Sequence, residues 1–501
     1  MSKGYFRSVL QNLSSSMVVF LVAVPLCLGI SLSSGVPLYA GLIAGIVGGI
    51  VVGSLSGSSL GVSGPAVGLC LVVLDSLSIL GSYELLLLAI VIAGAIQLLL
   101  GFLSAGYCAN YFPSCVVRGM LSGIGVMLLL KQIPLMLGVN KESVEMLALF
   151  QPIELSFFEL FDQGILIVSL FSLMVYILWE RWIKNLHSTL MVIPAPLVVI
   201  VSAAFFAAYL DQLPHLALSV EDKVNVPIAD SFSGFVANFS FPDFSALANT
   251  QVYLCGLLIA MVASIETLLS ADAIDKLDPL NRKTPPNREL KAQGVGNMVS
   301  GLIGGLPITQ VIIRSSANCQ SGATNKSSTI FHGFLLLFSI LWIPSLLNFI
   351  PLAALSVILC FIGIKLINIP QMMSVFKQGI NQSIPFFATI IGIALLGFLT
   401  GILLGVAVSL LLVLKDNLLA PHQVELRQKR TKITLSQNVS FLNKAAIQKI
   451  LDELEQGVSC EINAESSYFI HPDVEEMLDR FRVSAKNRDI DVTFKGFANL
   501  S

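Results

Sequence analysis

The stretch Gly61-Val62-Ser63-Gly64-Pro65-Ala66-Val67-Gly68 breaks a long apolar run, and Gly304-Gly305-Leu306-Pro307-Ile308-Thr309 breaks another in the second half of the chain. Glycine permits extended backbone, whereas proline lacks an N–H donor and is comfortable in a helix only within its first turn. Pro65 and Pro307 are therefore predicted to start short half-helices that follow extended segments. These two interruptions decide the fold, because they occupy matching places in the pattern around them.

Fourteen apolar segments surround the two interruptions. A bilayer core takes about 20 apolar residues per helix, and on that ruler the predicted spans lie near 16–33, 36–56, 60–78, 84–104, 113–137, 162–180, 187–210, 251–271, 292–305, 307–321, 328–348, 351–369, 382–398 and 399–415. A more polar stretch, 211–250, divides them into two sets of seven. Short segments interrupted by Gly and Pro at matching places in two halves are typical of inverted-repeat transporters.

Composition separates a membrane region from a water-exposed tail. Charged residues make up 12% of the chain and hydrophobic residues 55%, whereas an ordinary soluble protein is about a quarter charged. The last 81 residues hold 23 of the charges and the first 420 hold 37. The predicted divisions are a cytoplasmic N-terminal segment, a transport domain with two repeats, and a cytoplasmic tail: 1–15, 16–420 (repeats about 16–213 and 251–415) and 421–501.

The tail alternates strand and helix patterns. Strand character is found in three short runs: Lys432-Ile433-Thr434-Leu435, Cys460-Glu461-Ile462 and Ile490-Asp491-Val492-Thr493-Phe494. Helical spacing of apolar residues is found between them, at Ile447, Ile450, Leu451 and Leu454 and then at Val474, Met477, Leu478 and Phe481. This order predicts a small α/β domain with a parallel sheet.

Loop charges predict the orientation, because short cytoplasmic loops carry an excess of Lys and Arg. Every positive cluster follows an even-numbered span, and the members are Arg181, Lys184, Lys276, Arg282, Lys283, Arg288, Lys291, Lys326, Lys377, Lys415, Arg427, Lys429 and Arg430. The loops after the fifth and seventh spans are acidic instead, with Glu142, Glu145, Glu154, Glu159, Asp162, Asp211, Glu221, Asp222, Asp230 and Asp243. Both termini are therefore predicted to be cytoplasmic, in the inner membrane of a bacterium.

Composition and motifs exclude several classes of function. A net charge of −2 provides no basic surface for nucleic acid. The sequence contains no nucleophile–base constellation, phosphate-binding loop or metal-ligand cluster, so neither an enzyme nor a bound cofactor is predicted. The cysteines lack metal-ligand spacing and are interpreted as small packing residues: Cys27, Cys70, Cys108, Cys115, Cys255, Cys319, Cys360 and Cys460. His332 is likewise assigned an ordinary packing role.

Two facing half-helix starts favour a small anion, because each presents unpaired N–H groups and about half a positive charge. The expected anion contacts are backbone groups of the two interruptions, together with one cation, and the residues are Ser63, Gly64, Pro65, Ala66, Pro307, Ile308, Thr309 and Arg314. Arg314 lies about two helical turns after Pro307. It contributes a positive field to the anion, or it forms a salt bridge that locks two spans.

Glu266 is the strongest candidate for a coupling-ion site. A charged group at bilayer depth costs about 3 kcal/mol on insertion scales, so it usually faces the interior of the helix bundle. Ser270 lies four residues later on the same helical face. A carboxylate and a hydroxyl placed in this way can hold a proton or a sodium ion. The alternative is a structural carboxylate that is hydrogen-bonded to the tenth span.

Longer runs around these positions resemble the SulP family of sulfate and bicarbonate permeases. The resemblance is carried by Ser63-Gly64-Pro65, Asn287-Arg288-Glu289-Leu290-Lys291-Ala292-Gln293-Gly294-Val295-Gly296-Asn297, Gly304-Gly305-Leu306-Pro307-Ile308-Thr309, Arg314-Ser315-Ser316-Ala317-Asn318 and Ser321-Gly322-Ala323. The tail resembles the cytoplasmic STAS domain of that family.

The resemblance implies fourteen spans, built as two inverted repeats and divided into a core and a gate domain. It implies a substrate between the third and tenth half-helices, an elevator-like shift of the core, and a homodimer. Family members transport sulfate, bicarbonate, chloride or small carboxylates. In the sodium-coupled bicarbonate members an Asp precedes a hydroxyl residue by four positions, where this chain has Glu266 and Ser270.

Three further positions depart from the family pattern. Pro25 and Leu26 stand where many relatives have Pro-Gln with the Gln near the substrate, and both are expected to line the pocket. Ile313 stands where many animal members have Ser. His471-Pro472-Asp473 replaces the Asp-Ser pair that often opens the second STAS helix and can be phosphorylated.

The sequence therefore predicts a secondary active transporter of small inorganic anions, with sulfate or bicarbonate as the leading substrate. Transport is expected to be coupled to sodium or protons, or to work by exchange. Three alternatives stay open: a passive anion channel, a nucleobase–proton symporter, and a non-transporting membrane scaffold that acts through its tail.

Overall fold

The computed structural model describes residues 2–106, 113–139, 161–183, 186, 193–213, 215–227, 239–419, 422–427, 430–439, 443–486 and 488–497. Some of the predicted loop charges lie outside these residues: Glu142, Glu145, Glu154, Glu159, Lys184, Asp230 and Lys429. The same is true of Cys108.

The first set of spans forms helices wherever the chain is continuously apolar. The elements are α1 (Ser2–Ser33), α2 (Leu38–Val47) with its continuation through a π turn and α3 (Gly48–Val52, Gly53–Leu55), β1 (Ser63–Pro65), a 3₁₀ turn (Val67–Leu69), α4 (Cys70–Leu80), α5 (Tyr83–Phe102), α6 (Ser114–Leu137), α7 (Gln163–Arg181) and α8 (Ala195–Leu210). Local signals set the boundaries. Gly81, at φ +74°, ends α4, and the Ser82 side chain caps α5 by accepting the Leu85 N–H.

The second set repeats this order. Its elements are α9 (Thr250–Asp275), α10 (Pro286–Leu302), β2 (Ile308–Gln310), α11 (Ile312–Gln320), α12 (Ser327–Trp342), α13 (Pro344–Leu347), α14 (Leu352–Ile367), α15 (Ile369–Lys377), α16 (Ile380–Leu396) and α17 (Phe398–Leu419). Asn249 caps α9 by accepting the Gln251 N–H at 3.0 Å, and Pro286 opens α10 in its first turn, where a missing N–H is harmless.

Each of the fourteen predicted spans contains a helical segment among the described residues, so the prediction of a polytopic α-helical membrane protein is confirmed. Among the described residues, seven helical stretches are long and apolar enough to cross a bilayer by themselves: Gln11–Ser33, Leu38–Leu55, Tyr83–Phe102, Ser114–Leu137, Gln163–Arg181, Thr250–Asp275 and Leu352–Lys377. The third and tenth segments are different. α4 has 11 residues and α11 has 9, and each follows a three-residue strand.

Glycines bring α5 and α10 into backbone contact, and this contact positions the site. A methyl group added to Gly94 would lie 2.6 Å from the Gly294 carbonyl oxygen, and one added to Gly294 would lie 2.6 Å from the Leu98 nitrogen. Small residues allow membrane helices to approach this closely. α5 also packs along α9, whereas α14 packs on α6 and α7. These contacts define two packing groups, one formed by α5, α9 and α10 and the other by α6, α7 and α14.

The tail forms a four-stranded sheet in the order β3 (His422–Arg427), β4 (Arg430–Leu435), β6 (Ser459–Asn463) and β8 (Asp491–Lys495). β4, β6 and β8 run parallel, as predicted. β3, which is antiparallel to β4, was not predicted. β5 (Asn438–Val439) and β7 (Phe469–Ile470) pair separately.

Two helices supply the rest of the core of the tail. They are α18 (Lys444–Asp452) and α19 (Pro472–Lys486). Ile447 and Leu451 of α18 are buried with Leu478 of α19 and Ile462 of β6. By compactness, the residues up to Lys377 together with Phe386–Gly405 form one unit, and Gln378–Pro385 together with the chain from Val406 onward form another.

Candidate functional site

β1 and β2 form an antiparallel ribbon that joins the third and tenth spans. The register pairs Ser63 with Gln310, Gly64 with Thr309 and Pro65 with Ile308. Hydrogen-bonded and non-bonded pairs alternate in such a ribbon. Since the Val311 N–H donates to the Val62 carbonyl at 2.9 Å, Gly64 and Thr309 form the next bonded pair, and Pro65 falls in a non-bonded one. A proline is therefore tolerated here because no bond across the ribbon needs its nitrogen.

The prediction that Pro65 and Pro307 start half-helices is wrong. The helices begin at Val67 and Ile312, and Pro65 ends β1 while Pro307 precedes β2. The physical reason is that proline steers the preceding residue toward extended backbone, and pairing between the two repeats keeps both segments extended. Antiparallel strands lead out of a ribbon in opposite directions, so each half-helix turns its N-terminus toward the ribbon from its own end.

Side chains of α9 and α10 satisfy the outer edge of β2, and a side chain of α5 supports one of them. The Asn297 amide accepts the Ile308 N–H at 2.5 Å and donates to the Ile308 carbonyl at 3.0 Å. Asn297 itself is fixed by Gln97 of α5, whose Oε1 accepts from its Nδ2 at 2.6 Å. Two residues further along β2, the Gln310 N–H donates to Thr267 Oγ1 of α9 at 3.3 Å. The ribbon is therefore attached to α5, α9 and α10.

Several groups expected to contact an anion are engaged within the protein. Pro65 has no N–H, and the Ile308 N–H is donated to Asn297. The Ser63 hydroxyl accepts from Gln293 Nε2 at 2.8 Å. Thr309 differs, because its buried Oγ1 has no hydrogen-bond partner in the part of the chain that the structure describes. The N–H groups that remain for a ligand are those of the first turns after Ala66 and Val311.

Arg314 lies in the first turn of α11 and is fully buried, at 0% exposure. Its Nη2 is 3.4 Å from Cys27 Sγ and 3.5 Å from the Pro65 carbonyl oxygen. Nε and Nη1 have no partner among the described residues. None of the ion pairs within 4.0 Å among the described residues includes Arg314, so the salt bridge to Glu266 that the sequence left open is not formed. A buried guanidinium with two unpaired nitrogens is costly unless an anion joins it.

Glu266 projects from α9 against the first turn of the other half-helix. A methyl group added to Gly68 would lie 2.6 to 2.8 Å from both carboxylate oxygens and from Cδ. The carboxylate lies directly against the backbone of Gly68, while the buried Oε2 has no hydrogen-bond partner within the described chain. The carboxylate therefore sits at a helix N-terminus, where the helix dipole stabilises negative charge.

Ser270 is buried one turn after Glu266, at 2% exposure. No hydrogen bond connects the two side chains in the regions that the structure describes. Between them, Thr267 bonds the ribbon at Gln310. The alternative was a structural carboxylate hydrogen-bonded to the tenth span, but among the described residues Glu266 lies against Gly68 of the third span, and its Oε2 has no hydrogen-bond partner.

Pro25 and Leu26 lie in α1. Pro25 borders an apolar cavity of about 550 Å³ between α1, α8 and α12, whereas Leu26 is buried in the core at 3% exposure. The residue of α1 that reaches the candidate site is their neighbour Cys27, which contacts Arg314.

Sequence reasoning missed four residues around the ribbon: Cys27, Asn297, Gln293 and His332. Asn297 and Gln293 stand in the run Asn287–Asn297, where polar amides inside an apolar span are a signal that was available. Cys27 and His332 gave no signal beyond burial, because a lone thiol or imidazole in an apolar run is ordinary packing in most helices.

Two broken helices whose N-termini approach one ribbon, with a buried cation beside it, are typical of secondary transporters with inverted repeats. The chain is an integral membrane protein of this build. The sequence profile of the sulfate permease family matches residues 9–389. The chain therefore belongs to that family, whose members named below are anion transporters rather than enzymes.

The relatives are named for two different anions. A protein of Bacillus subtilis (strain 168) provisionally named as a sulfate transporter, YvdB, is 26% identical over 82% of this chain and 74% of its own length. The bicarbonate transporter BicA of Picosynechococcus sp. (strain ATCC 27264 / PCC 7002 / PR-6) is 25% identical over 73% of this chain and 63% of its own length.

Solved structures share the fold. The murine Solute Carrier 26 family member A9 anion transporter, in an inward-facing state, superposes with a TM-score of 0.76 at 14% identity and covers 97% of this chain and 85% of its own. The transmembrane domain of a cyanobacterial BicA gives a TM-score of 0.65 at 22% identity, covering 80% of this chain and 98% of that domain.

Proposed function

We propose that this protein is a secondary active transporter of small inorganic anions, which binds its substrate beside the ribbon between the two half-helices. The observation that carries the proposal is Arg314. It is a buried cation with two unpaired nitrogens next to Pro65. A guanidinium presents a planar fork of donors that fits an oxyanion, and the first-turn N–H groups after Ala66 and Val311 add to the positive field.

Sulfate or bicarbonate is the proposed substrate. Both are oxyanions that accept charge-assisted hydrogen bonds from the nitrogens of a guanidinium. The names of the relatives support this choice, since YvdB is named for sulfate and BicA for bicarbonate. The contacts proposed in this chain are Arg314, the unpartnered Thr309 hydroxyl and the first-turn N–H groups that follow Ala66 and Val311. Pro25 and Leu26 are proposed to bound the pocket on the α1 side.

Glu266 and Ser270 are proposed to bind the coupling ion. The unpartnered Oε2 of Glu266 and the Ser270 hydroxyl are oxygen ligands, which suit sodium, and the same carboxylate can carry a proton. Glu266 lies against the third span and Arg314 lies in the tenth. Both half-helices start from the same ribbon, so an ion bound at Glu266 acts through the ribbon on an anion bound at Arg314. Ion binding and anion binding are thereby coupled without a direct salt bridge.

Alternating access is proposed to follow an elevator-like movement. The ribbon is hydrogen-bonded to α9 and α10, and α10 is hydrogen-bonded to α5, so these elements would shift as one core. α6, α7 and α14, which pack with one another, would form the gate. We further propose that residues 16–420 transport, that residues 1–15 and 421–501 are cytoplasmic, and that the protein is a homodimer in a bacterial inner membrane.

Uptake of labelled sulfate and of labelled bicarbonate into proteoliposomes tests the proposal, with sodium and pH gradients imposed separately. The expected result is accumulation above equilibrium in the wild type and none in Arg314→Gln. Uptake that stops at equilibrium would indicate a passive channel. Activity that needs residues 421–501 but survives Arg314→Gln, with no anion uptake at all, would support the scaffold alternative.

A further inference from the structure

His332 lies on the face of α12 that is turned toward the ribbon and Arg314. One turn before it, the Thr329 hydroxyl donates to the Gly61 carbonyl at 3.1 Å, just ahead of β1. One turn after it, Leu336 reaches Gly45 of α2. A methyl group added to Gly45 would meet Leu336 Cδ1 at 2.8 Å and Arg314 Nη1 at 3.9 Å. Since residues three and four apart share a helix face, His332 lies between these two contacts.

Packing alone does not explain why an imidazole is buried at His332. The residue is 0% exposed, and neither Nδ1 nor Nε2 has a hydrogen-bond partner among the described residues. A neutral imidazole carries one donor and one acceptor, and each buried group left unpaired is destabilising. Arg314 is the charged group whose field acts on this ring. Two neighbouring side chains therefore both have unpaired nitrogens.

The surroundings of His332 contain few other titratable groups. α12 packs against α1, α2, the π turn with α3, and α13. On the described side chains of these elements the titratable residues are Cys27 and Tyr39. Cys27 contacts Arg314, and the Tyr39 hydroxyl pairs with Ser240 at 3.0 Å. On α12's own N-terminal side, Lys326 bonds the Ser56 carbonyl oxygen. No described carboxylate on these elements balances a second positive charge beside Arg314.

We propose that His332 takes up a proton together with a divalent anion that binds at Arg314, and that this protonation selects sulfate over monovalent anions. The proposal rests on the proposed anion site at Arg314. Without an anion, an imidazolium next to the guanidinium is opposed by like-charge repulsion in a buried site. With sulfate between them, guanidinium and imidazolium match its two negative charges. A monovalent anion is matched by Arg314 alone.

The step is a proton transfer without any redox change. The imidazole nitrogen lone pair takes a proton from water on the side where sulfate enters, and the imidazolium N–H donates to the anion. The proton returns to water when sulfate leaves on the other side. Linkage requires that sulfate raises the affinity for the proton as much as the proton raises the affinity for sulfate. This site is separate from Glu266, which faces the other half-helix.

Proton uptake on anion binding tests the proposal with the full-length purified protein. Sulfate or chloride is added to the protein in a weakly buffered detergent solution near pH 6.5, the ordinary range of histidine, and the pH change is recorded with the thermal shift. The wild type is expected to take up about one proton per bound sulfate and none with chloride. His332→Gln is expected to bind sulfate at least about tenfold more weakly, without proton uptake, and chloride as before.

The controls separate this proposal from the proposed function. His215→Gln, at an exposed histidine, should keep the proton uptake of the wild type. Unchanged proton uptake in His332→Gln, or its loss in Glu266→Gln alone, overturns the role of His332 and leaves the anion site standing. If His332→Gln does not fold, sulfate binding to the wild type without protons overturns the proposal by itself. If the wild type binds neither anion, both proposals fail.

Discussion

Asn297 holds both backbone polar groups of Ile308, because its Oδ1 accepts the N–H at 2.5 Å and its Nδ2 donates to the carbonyl at 3.0 Å. A single side chain thus replaces a neighbouring strand on that edge of the ribbon. In a membrane interior there is no water to take its place.

Replacing Asn297 with Ala should therefore destabilise the transport unit. The change leaves two buried backbone groups unpaired, at roughly 1–3 kcal/mol each, and it should lower the unfolding temperature in detergent and reduce anion uptake at least about tenfold. Asn249→Ser is the matched control, since Ser also caps helices and should preserve stability. Wild-type stability and uptake in Asn297→Ala would show that the ribbon does not need this amide.

The sequence could predict where the two helices are interrupted, but it could not predict that the interruptions form paired strands. Gly64-Pro65 and Leu306-Pro307 exclude continuous helix by local sterics alone, so the positions of the interruptions follow from neighbouring residues. A three-residue strand carries no periodicity, however, and β1 pairs with a strand from the other repeat. Pairing at such sequence separation is decided by tertiary packing, which is why half-helices were expected to begin at the prolines themselves.

The candidate site shows the same division. Glu266 and Arg314 were identified because a charge inside an apolar span must have a partner or a task. Which partner each has depends on the packing of α9 and α11 around the ribbon, so the open question of a mutual salt bridge could be answered only in three dimensions. Cys27 and His332 are uncharged, and a buried uncharged residue does not stand out in an apolar run.

Arg314→Gln is expected to weaken anion binding by about 10- to 150-fold, the range for losing one hydrogen bond to a charged group. Arg314→Lys should recover only part of it, because an ammonium cannot form a planar fork. Labelled-anion binding to the purified variants measures both. Arg288→Gln, at an exposed arginine that bonds the Leu55 carbonyl at 3.1 Å, should bind as the wild type does. Equal affinity in Arg314→Gln would exclude this residue from the anion site.

Glu266→Gln should abolish bicarbonate uptake driven by an ion gradient while expression and anion exchange continue, because the amide keeps the shape but cannot carry a proton or neutralise sodium. Uptake under separate sodium and pH gradients measures the effect. Glu84→Gln, at an exposed residue in the first turn of α5, is the matched control. A gradient dependence like that of the wild type in Glu266→Gln would remove this carboxylate from coupling.

Gly68→Ala should affect the same step by steric means. The new methyl group would lie 2.6 Å from Glu266 Oε2, so the carboxylate must move away from the first turn of the half-helix and lose the helix-dipole stabilisation of about 0.3–1 kcal/mol. The concentration of coupling ion needed for half-maximal uptake should rise. Gly29→Ala, whose methyl would meet only the flexible Leu359 side chain at 3.2 Å, should leave it unchanged. The reverse ranking of the two variants would contradict the placement of Glu266.

The ion pair of Asp278 and Arg282, which lies outside the membrane spans, predicts a pH dependence of stability. Asp278 accepts from Arg282 Nε at 2.7 Å and Nη2 at 3.2 Å, and these hydrogen bonds lower the pKa of the Asp278 carboxyl. A group with a lowered folded-state pKa contributes stability that is fully present above its unfolded pKa, about 3.9, and is lost as the pH falls through the folded value.

Asp278→Asn should therefore destabilise the protein by about 1–2 kcal/mol at pH 7, and the difference from the wild type should shrink below about pH 4. Thermal unfolding in detergent between neutral and acid pH measures it. Asp272→Asn removes an exposed ion pair with Lys276, whose side chains are 67% and 72% exposed, and such pairs contribute little. A deficit in Asp278→Asn that stays constant into acid would mean that the Asp278 carboxylate stabilises the loop through its shape and not through its charge.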